Sequence, residues 1–456
     1  MSPSDVSWRF RFLHRFYCRS ATFQFWLSQR IRSAGIFALI VTAMASFFCV
    51  GHPKDSIFQL FCFSFGLVAF TIIWSTLRRA NVTAEIKVPK YATVGEELRY
   101  SVELRNKNSS TLRNLRLIQV PPDPRPSLLE FSQTEEPFEN IRNAYDRTIA
   151  YYRWRWLISR NTTFTSNESK NSFDLTNHKK HTIPLTITVA KRGVYLLENL
   201  QLLMPDPLGF FQKSSPLSPS PSRLIALPKR YALPHFEMPG SSTFRIGGEE
   251  TSNAIGTFGE FLSIREYRPG DSLRQIHWKS WAHTGRPMVK ELEDTFYPRY
   301  ALILDTSPGS CDRMVFEEMV SISSSFITSL DHSDALLDLM FIADHAHIVT
   351  AGRGYERTEK LLEVLANVQI DPIPRFDVLS STVIQHCDRI TSCLLVLNGW
   401  DEQRIEFIKK LRKAGILCVP IIVGRDEAPS NIPGYWVDSN HVARDLMRLP
   451  SQLSGF

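Results

Sequence analysis

Residues 416–424 read ILCVPIIVG, with no polar side chain in the run. A strand with one wet face would alternate, and a surface helix would repeat its apolar positions every three or four residues. This run does neither, which is the pattern of a strand buried on both faces of a parallel sheet. Shorter runs of the same kind precede it: ALILD at 301–305, LLDLMFIA at 336–343 and CLLVL at 393–397. Helical patterns separate them. In Asp312–Leu330, residues Phe316, Met319, Val320, Ile327 and Leu330 share one face, and Tyr355–Val368 and Asp401–Lys413 repeat the arrangement. Gly415 stands where a helix would end in a left-handed cap. Strands alternating with helices predict a doubly wound α/β domain over residues 297–440.

Upstream the period changes to two. Val82, Ala84, Ile86 and Val88 alternate with other residues, as do Leu98, Tyr100, Val102 and Leu104. Val94-Gly95 and the NKNSS of 106–110 supply turns. The pattern predicts an immunoglobulin-like β-sandwich over residues 80–235. The segments YYRWRWLI (151–158) and HTIPLTITVAKRGVYLL (181–197) read as strands of the same domain. Residues 159–180, rich in Ser, Thr, Asn and Lys, read as a mobile surface loop, and the prolines of 200–239 read as a linker or edge-strand region.

Two stretches before the sandwich, 34–53 and 56–77, are nearly free of charge, each close to the roughly 20 residues that span hydrocarbon as a helix. With Lys54-Asp55 between them, residues 34–77 predict a transmembrane hairpin. The formal charge of +7 sits around it: residues 1–33 carry six arginines against Asp5, Arg78 and Arg79 follow the second span, and the remainder is neutral. The positive-inside rule then places the N-terminus and everything beyond Arg78 in the cytoplasm, making this a multi-pass protein of the inner (plasma) membrane. Segment 1–33 reads either as an interfacial element, with arginines for headgroups and aromatics for the acyl boundary, or as a disordered basic tail. A neutral soluble part argues against nucleic-acid binding. The seven cysteines show no C-x-x-C spacing, as in a reducing compartment.

The densest concentration of reactive side chains is REYRPGDSLRQIHWKSWAHTGRP, Arg265–Pro287. His277 and His283 are six apart, unsuited to a zinc pair on one helix face, and Ser280 lacks a nucleophile elbow. Interleaved Trp and Arg would suit RNA, but Glu260, Glu266, Asp271, Glu291 and Glu293 would repel phosphate. The turn around Gly270-Asp271 predicts an aspartate accepting backbone N–H groups and a guanidinium, with Arg265 as its partner. Ile276 and Trp278 are expected to fill a seam between domains.

Glu260, Phe261, Arg265, Tyr267, Gly270, Asp271, Arg274, Ile276, Trp278, Lys279, Val289 and Lys290, followed by ALILDTS, closely resemble the signature of the family known as domain of unknown function 58. KRGVYLLENLQLLMPDPLGFF (191–211) resembles its upstream elements. Residues 240–296 are the signature segment, and Glu260, Arg265, Tyr267, Gly270, Asp271, Arg274, Trp278 and Lys279 are its candidate interaction residues. The resemblance implies a von Willebrand factor A-like domain from about residue 297. Such domains often hold a divalent cation through Asp-x-Ser-x-Ser. Here Asp305 and Ser307 remain, Gly309 replaces the last serine, and Leu397-Asn398 stands where Thr-Asp is usual. The expectation is no bound metal and no cofactor, with Asp305 ending a strand.

The resemblance also implies a MoxR-type AAA+ ATPase as partner, in assembly or remodelling of other proteins. No Gly-x-x-x-x-Gly-Lys-Ser/Thr loop occurs in the chain itself. The sequence thus predicts a non-enzymatic, membrane-anchored adaptor. Its rivals are a metal-assisted hydrolase using Asp305, Ser307 and the histidines, and a purely structural membrane scaffold.

Overall fold

The computed structural model describes residues 6–49, 56–108, 110–137, 139–169, 171–177, 179–236, 238–239, 260–293, 299–307, 313–330, 336–343, 346–351, 355–371, 373, 375–425 and 434–450. The chain forms two units, Met1–Lys229 and Arg230–Phe456.

The first unit opens with three helices, α1 (Trp8–Arg30), α2 (Ser33–Cys49) and α3 (Ser56–Leu77). α3, at 22 residues, is long and apolar enough to cross a membrane, while α2 is shorter at 17. The two pack on each other, burying Ala45, Val68 and Thr71. Thr71 satisfies its hydroxyl on its own helix, donating to the Leu67 and Val68 carbonyls. The expected connecting residues, 50–55, lie outside the described residues.

Strands β1 (Val82–Lys87), β2 (Tyr91–Thr93), β3 (Glu97–Asn106) and β4 (Leu112–Gln119) follow, then short helices α4 (Leu128–Gln133), α5 (Ala144–Ile149) and α6 (Tyr151–Asn161). Strands β5 (Phe164–Ser166), β6 (Phe173–Leu175), β7 (Lys180–Val189), β8 (Gly193–Leu197), β9 (Leu200–Pro205), β10 (Gln212–Leu217) and β11 (Ser222–Leu227) complete the unit. They assemble as sheets β1-β3-β7-β5, β10-β9-β4-β6 and β2-β11-β8 around one core. The alternation read from the sequence is the inward face: Tyr100, Val102 and Leu104 of β3 and Leu185, Ile187 and Val189 of β7 are all buried.

Four expectations are corrected here. YYRWRWLI is not a strand but α6, which buries Arg153, Trp154 and Leu157 at helical spacing. Residues 159–180 contribute β5 and β6, whose Phe164 and Leu175 are fully buried. The proline-rich stretch is neither linker nor merely edge, because β9 is an inner strand between β10 and β4, and Pro216 sits on outer strand β10 where a missing N–H is tolerated. Residues 8–30 are no disordered tail but a 23-residue helix packed by Phe10, Leu13 and Tyr17 on Phe131, Trp154 and Leu157.

In the second unit, β12 (Glu260–Glu266), α7 (Trp278–Thr284) and β13 (Met288–Glu293) form a hairpin with a helical excursion. Beyond it come β14 (Arg299–Leu304), α8 (Arg313–Leu330), β15 (Leu336–Ile342), β16 (Ala346–Ala351), α9 (Tyr355–Asn367), α10 (Phe376–Gln385), β17 (Ser392–Asn398), α11 (Glu402–Lys413), β18 (Leu417–Gly424), β19 (Tyr435–Asp438) and α12 (Val442–Leu446). One sheet runs β16-β15-β14-β17-β18-β19, parallel except for β16. Ala301, Ile303, Leu395 and Ile422 face α10 and α11, while α8 packs on β14, β17 and β18 from the other side. The apolar runs are therefore buried on both faces, as their lack of alternation requires. Asp401 caps α11 by accepting the Arg404 N–H, and Gly415 follows that helix at φ +81°.

Candidate functional site

The signature hairpin is held by its turn. Arg265 leaves β12 and grips Asp271 with both guanidinium arms, Nη1 to Oδ2 at 2.7 Å and Nη2 to Oδ1 at 2.8 Å. The Arg268 N–H donates to the same Oδ2 at 2.8 Å. Gly270 makes this possible at φ +112°, a conformation open to glycine and strained for other residues. The Arg265 guanidinium, then the Arg268 N–H, hold the Asp271 carboxyl far below its usual range, at about 2. The paired arginine expected from the sequence is thus present.

Two further bonds tie the excursion to β13: the Tyr267 N–H donates to the Pro287 carbonyl at 2.9 Å, and the His277 N–H to Met288 at 2.8 Å. Gln275, Ile276 and Val289 are buried beneath it. Trp278 is not. It is 66% exposed and stacks on Trp281, ring centroids 5.3 Å apart and 16° from parallel. Helix α7 begins at Trp278 and turns it away from the side on which Ile276 is buried. Arg274, Lys279 and Leu273 are exposed beside it. Tyr267 is half-buried, and the Glu260 side chain lies outside the described residues.

Among the described residues of the hairpin, His277 and Ser280 form a pair with no third group seen to orient it. His277 Nδ1 lies 2.7 Å from the Ser280 hydroxyl across one turn, with both groups local to α7. His283 is exposed, and among the described residues no cluster of three or more His, Cys, Asp or Glu could hold a metal.

The second candidate lies where β14 and β17 diverge, since their following connections run to opposite sides of the sheet. Such switch points are where open α/β sheets place ligands. Asp305 follows β14 and is fully buried. Its Oδ1 accepts the Ser307 N–H at 3.0 Å, and its Oδ2 accepts Arg404 Nε at 2.8 Å, Arg404 Nη2 at 2.5 Å and the Asn398 N–H at 3.3 Å. Arg404 also pairs with Asp401 and lies over the Phe376 ring at 4.9 Å. A divalent ion would have to displace a buried guanidinium that already neutralises Asp305. The side chains present do not fit a hard-cation site. Gly309, the third position of the metal pattern, lies outside the described residues. Sequence reasoning missed Arg404; its signal is a charged residue on the stripe Arg404, Phe407, Ile408 and Leu411, all of them buried.

Two other features were not anticipated. Cys393 and Cys418, isolated in sequence, are register partners on β17 and β18 with sulfurs 3.4 Å apart, both buried as free thiols. A largely apolar cleft of about 750 Å³ lies among Phe341, His347, Lys360, Val364 and Asp371.

In the first unit, the DPLGFF motif builds a collar. Asp206 accepts the Phe210 and Phe211 N–H groups at 3.0 and 2.8 Å. The Phe210 carbonyl then accepts the Arg32 N–H at 3.1 Å, and Ile31 bridges Phe211, fixing the α1–α2 junction. The end of α3 is caught by the same strands, with Arg78 donating to the Pro205 carbonyl at 2.8 Å and Lys213 to the Thr76 and Arg78 carbonyls at 2.9 and 2.7 Å.

Comparison with known proteins matches residues 263–392 to the family model described as protein of unknown function DUF58. The uncharacterized protein YeaD of Bacillus subtilis (strain 168) is 27% identical over 133 residues, which is 28% of this chain and 32% of that relative. The chain therefore matches about a third of the relative's length. Among solved structures, the crystal structure of the CARDB domain of the PF1109 protein from Pyrococcus furiosus, in complex with di-metal ions, is 11% identical, covering 31% of this chain and 89% of that one at a TM-score of 0.14. Its solution NMR structure is 12% identical, covering 31% and 97% at 0.15. Scores this low carry no argument about this fold.

Proposed function

From the premise that this is a DUF58 protein over residues 263–392, we propose that it is a membrane-anchored, cytoplasm-facing adaptor that binds another protein through its signature hairpin rather than transforming a substrate. One observation carries the reading. The hairpin is rigidified by the Arg265–Asp271 pair, yet it turns a stacked Trp278–Trp281 face and the cations of Arg274 and Lys279 to solvent. Tryptophan and arginine on a preorganised support are the composition of an interaction hot spot.

The sheet order β16-β15-β14-β17-β18-β19 with an antiparallel β16 supports a von Willebrand factor A-like reading of the second unit, with its metal loop closed by Arg404. The sandwich supports an immunoglobulin-like module, and α2 with α3 a hairpin anchor in the inner membrane. A MoxR-type AAA+ ATPase is the partner that family resemblance suggests, and it would supply the ATP hydrolysis for which this chain has no phosphate loop. The metal-assisted hydrolase reading is disfavoured because Asp305 is already committed to Arg404. A purely structural scaffold would leave exposed Trp278 without a task.

The test is affinity capture by the full chain from detergent-solubilised membranes. The wild type should recover an AAA+ ATPase, and Trp278→Ala should lose it. Recovery undiminished by Trp278→Ala would remove the hairpin from the interface, and absence of any ATPase would sink the partnership.

A further inference from the structure

α1 has two apolar faces. At about 100° per residue, Phe10, Leu13, Tyr17 and Ala21 fall on one arc, and Trp8, Phe12, Phe16, Phe23 and Trp26 on the opposite one, within about 80° of each other. The first arc is spent on packing. Phe10, Leu13 and Tyr17 meet Phe131 and Trp154, the Tyr17 hydroxyl donates to the Ile149 carbonyl at 2.9 Å, and His14 Nε2 lies 3.0 Å from the Pro126 carbonyl. The second arc is bare: Trp8 is 75%, Phe12 63% and Phe23 62% exposed. Arg15 and Arg19 project from the same side, also exposed, and no acidic residue occurs anywhere in the helix.

We infer that this outer face of α1 lies along the headgroup–acyl boundary of a bilayer carrying anionic phospholipid. The inference rests on the membrane anchoring proposed above and adds a second, lateral contact to it. Two features select lipid over a protein partner. First, α1 ends only two residues before apolar α2, with Ile31 in an extended conformation that breaks the helix, and the collar at Phe210 fixes this junction. A helix leaving a spanning segment at such a break begins at the interface. Second, aromatic rings interleaved with arginines are the chemistry of that boundary: rings sit at the headgroup level while long cationic stems reach the phosphates. The inner face then ties the helical insert α4–α6 to the membrane surface.

The experiment reconstitutes the full chain in vesicles of phosphatidylcholine alone or with phosphatidylglycerol. An environment-sensitive fluorescent amino acid replaces Phe12 or Phe16, and the acyl chains carry bromine as a quencher. Strong quenching by brominated lipid, with protection from aqueous iodide, is expected in the anionic vesicles. Arg15→Gln with Arg19→Gln should lower the ratio of membrane-bound to water-exposed probe about fivefold per charge in those vesicles, and little in phosphatidylcholine. Carbonate extraction separates the two ideas. A chain retained in the bilayer whose probe is quenched by iodide, or shielded from both quenchers as in a protein contact, overturns the inference and leaves the anchor standing. A chain that washes out overturns both.

Discussion

Arg404 occupies the position, relative to Asp305, that a cation would need: its guanidinium reaches Oδ2 through Nε at 2.8 Å and Nη2 at 2.5 Å, in a site where both side chains are buried. Removing one partner of such a pair leaves an unpaired buried charge. Arg404→Ala is therefore expected to cost about 3–5 kcal/mol, while Asp305→Leu with Arg404→Met recovers most of the loss. Chemical denaturation of the solubilised chain measures both. A single-variant cost below about 1 kcal/mol would match an exposed pair and contradict the buried geometry.

The same pairing predicts indifference to metal. An ion bound with its concentration a thousandfold above Kd would add about 4 kcal/mol to stability. Thermal melts with Mg²⁺ and with chelator should instead superimpose, and a chelator-induced fall in the midpoint would show that Asp305 is available after all.

Asp271 sets a pH dependence whose sign follows from its environment. Its carboxyl titrates at about 2 when folded against an ordinary value of 3.8, so it holds fewer protons folded than unfolded in that window. Its contribution is complete above 3.8 and is lost as pH falls toward about 2. Hydrogen exchange of residues 265–287, corrected for intrinsic rates, should show the turn opening across that interval. Asp271→Asn should open it at neutral pH and flatten the profile.

Two glycines in the apolar helices separate a structural demand from a propensity effect. A Cβ on Gly35 would stand 2.1 Å from the Phe210 carbonyl oxygen, on backbone that the Asp206 turn holds in place. A Cβ on Gly66 would meet nothing within 4 Å. Gly35→Ala should thus destabilise by about 1–3 kcal/mol, and Gly66→Ala should be neutral or slightly stabilising. Equal melting points for the two variants would show that the collar does not bear on the α1–α2 junction.

What the sequence made legible followed the strength of the pattern. The parallel strands were plain because burial on both faces removes every polar residue, and Leu394, Val396, Val419 and Ile421 show why. YYRWRWLI misled because its aromatics favour a strand locally, whereas tertiary packing rewards the helical set Arg153, Trp154 and Leu157. Arg153 then reaches buried Glu139 at 2.8 and 2.5 Å, a partner fourteen residues earlier that no local pattern shows. Phe164 and Leu175 were hidden because each strand is only three residues long, with Phe164 the sole apolar residue of β5 and Phe173 and Leu175 of β6 split by Asp174, too short a stretch for an alternating pattern to show. The Arg265–Asp271 pair was legible because the turn that follows β12 folds Asp271 back onto Arg265 at the end of that strand; Arg404–Asp305 was not, because the chain must fold a sheet to bring them together.

The last prediction concerns Ile276 and Trp278, two residues apart on the hairpin. Apolar size alone gives both a claim to the core, but the extended backbone at Ile276 points its side chain into the packing with Val289, and α7 starts at Trp278. Ile276→Ala should cost about 2–5 kcal/mol as a core truncation. Trp278→Ala, removing a larger side chain, should cost no more than about 0.5 kcal/mol as a surface change. Partner binding should rank them the other way for Ile276→Ala molecules that remain folded, because Trp278 carries the contact and Ile276 only supports it. Denaturation and capture on the same preparations test this. A Trp278→Ala cost comparable to that of Ile276→Ala would show the ring to be buried and remove the surface on which the adaptor reading depends.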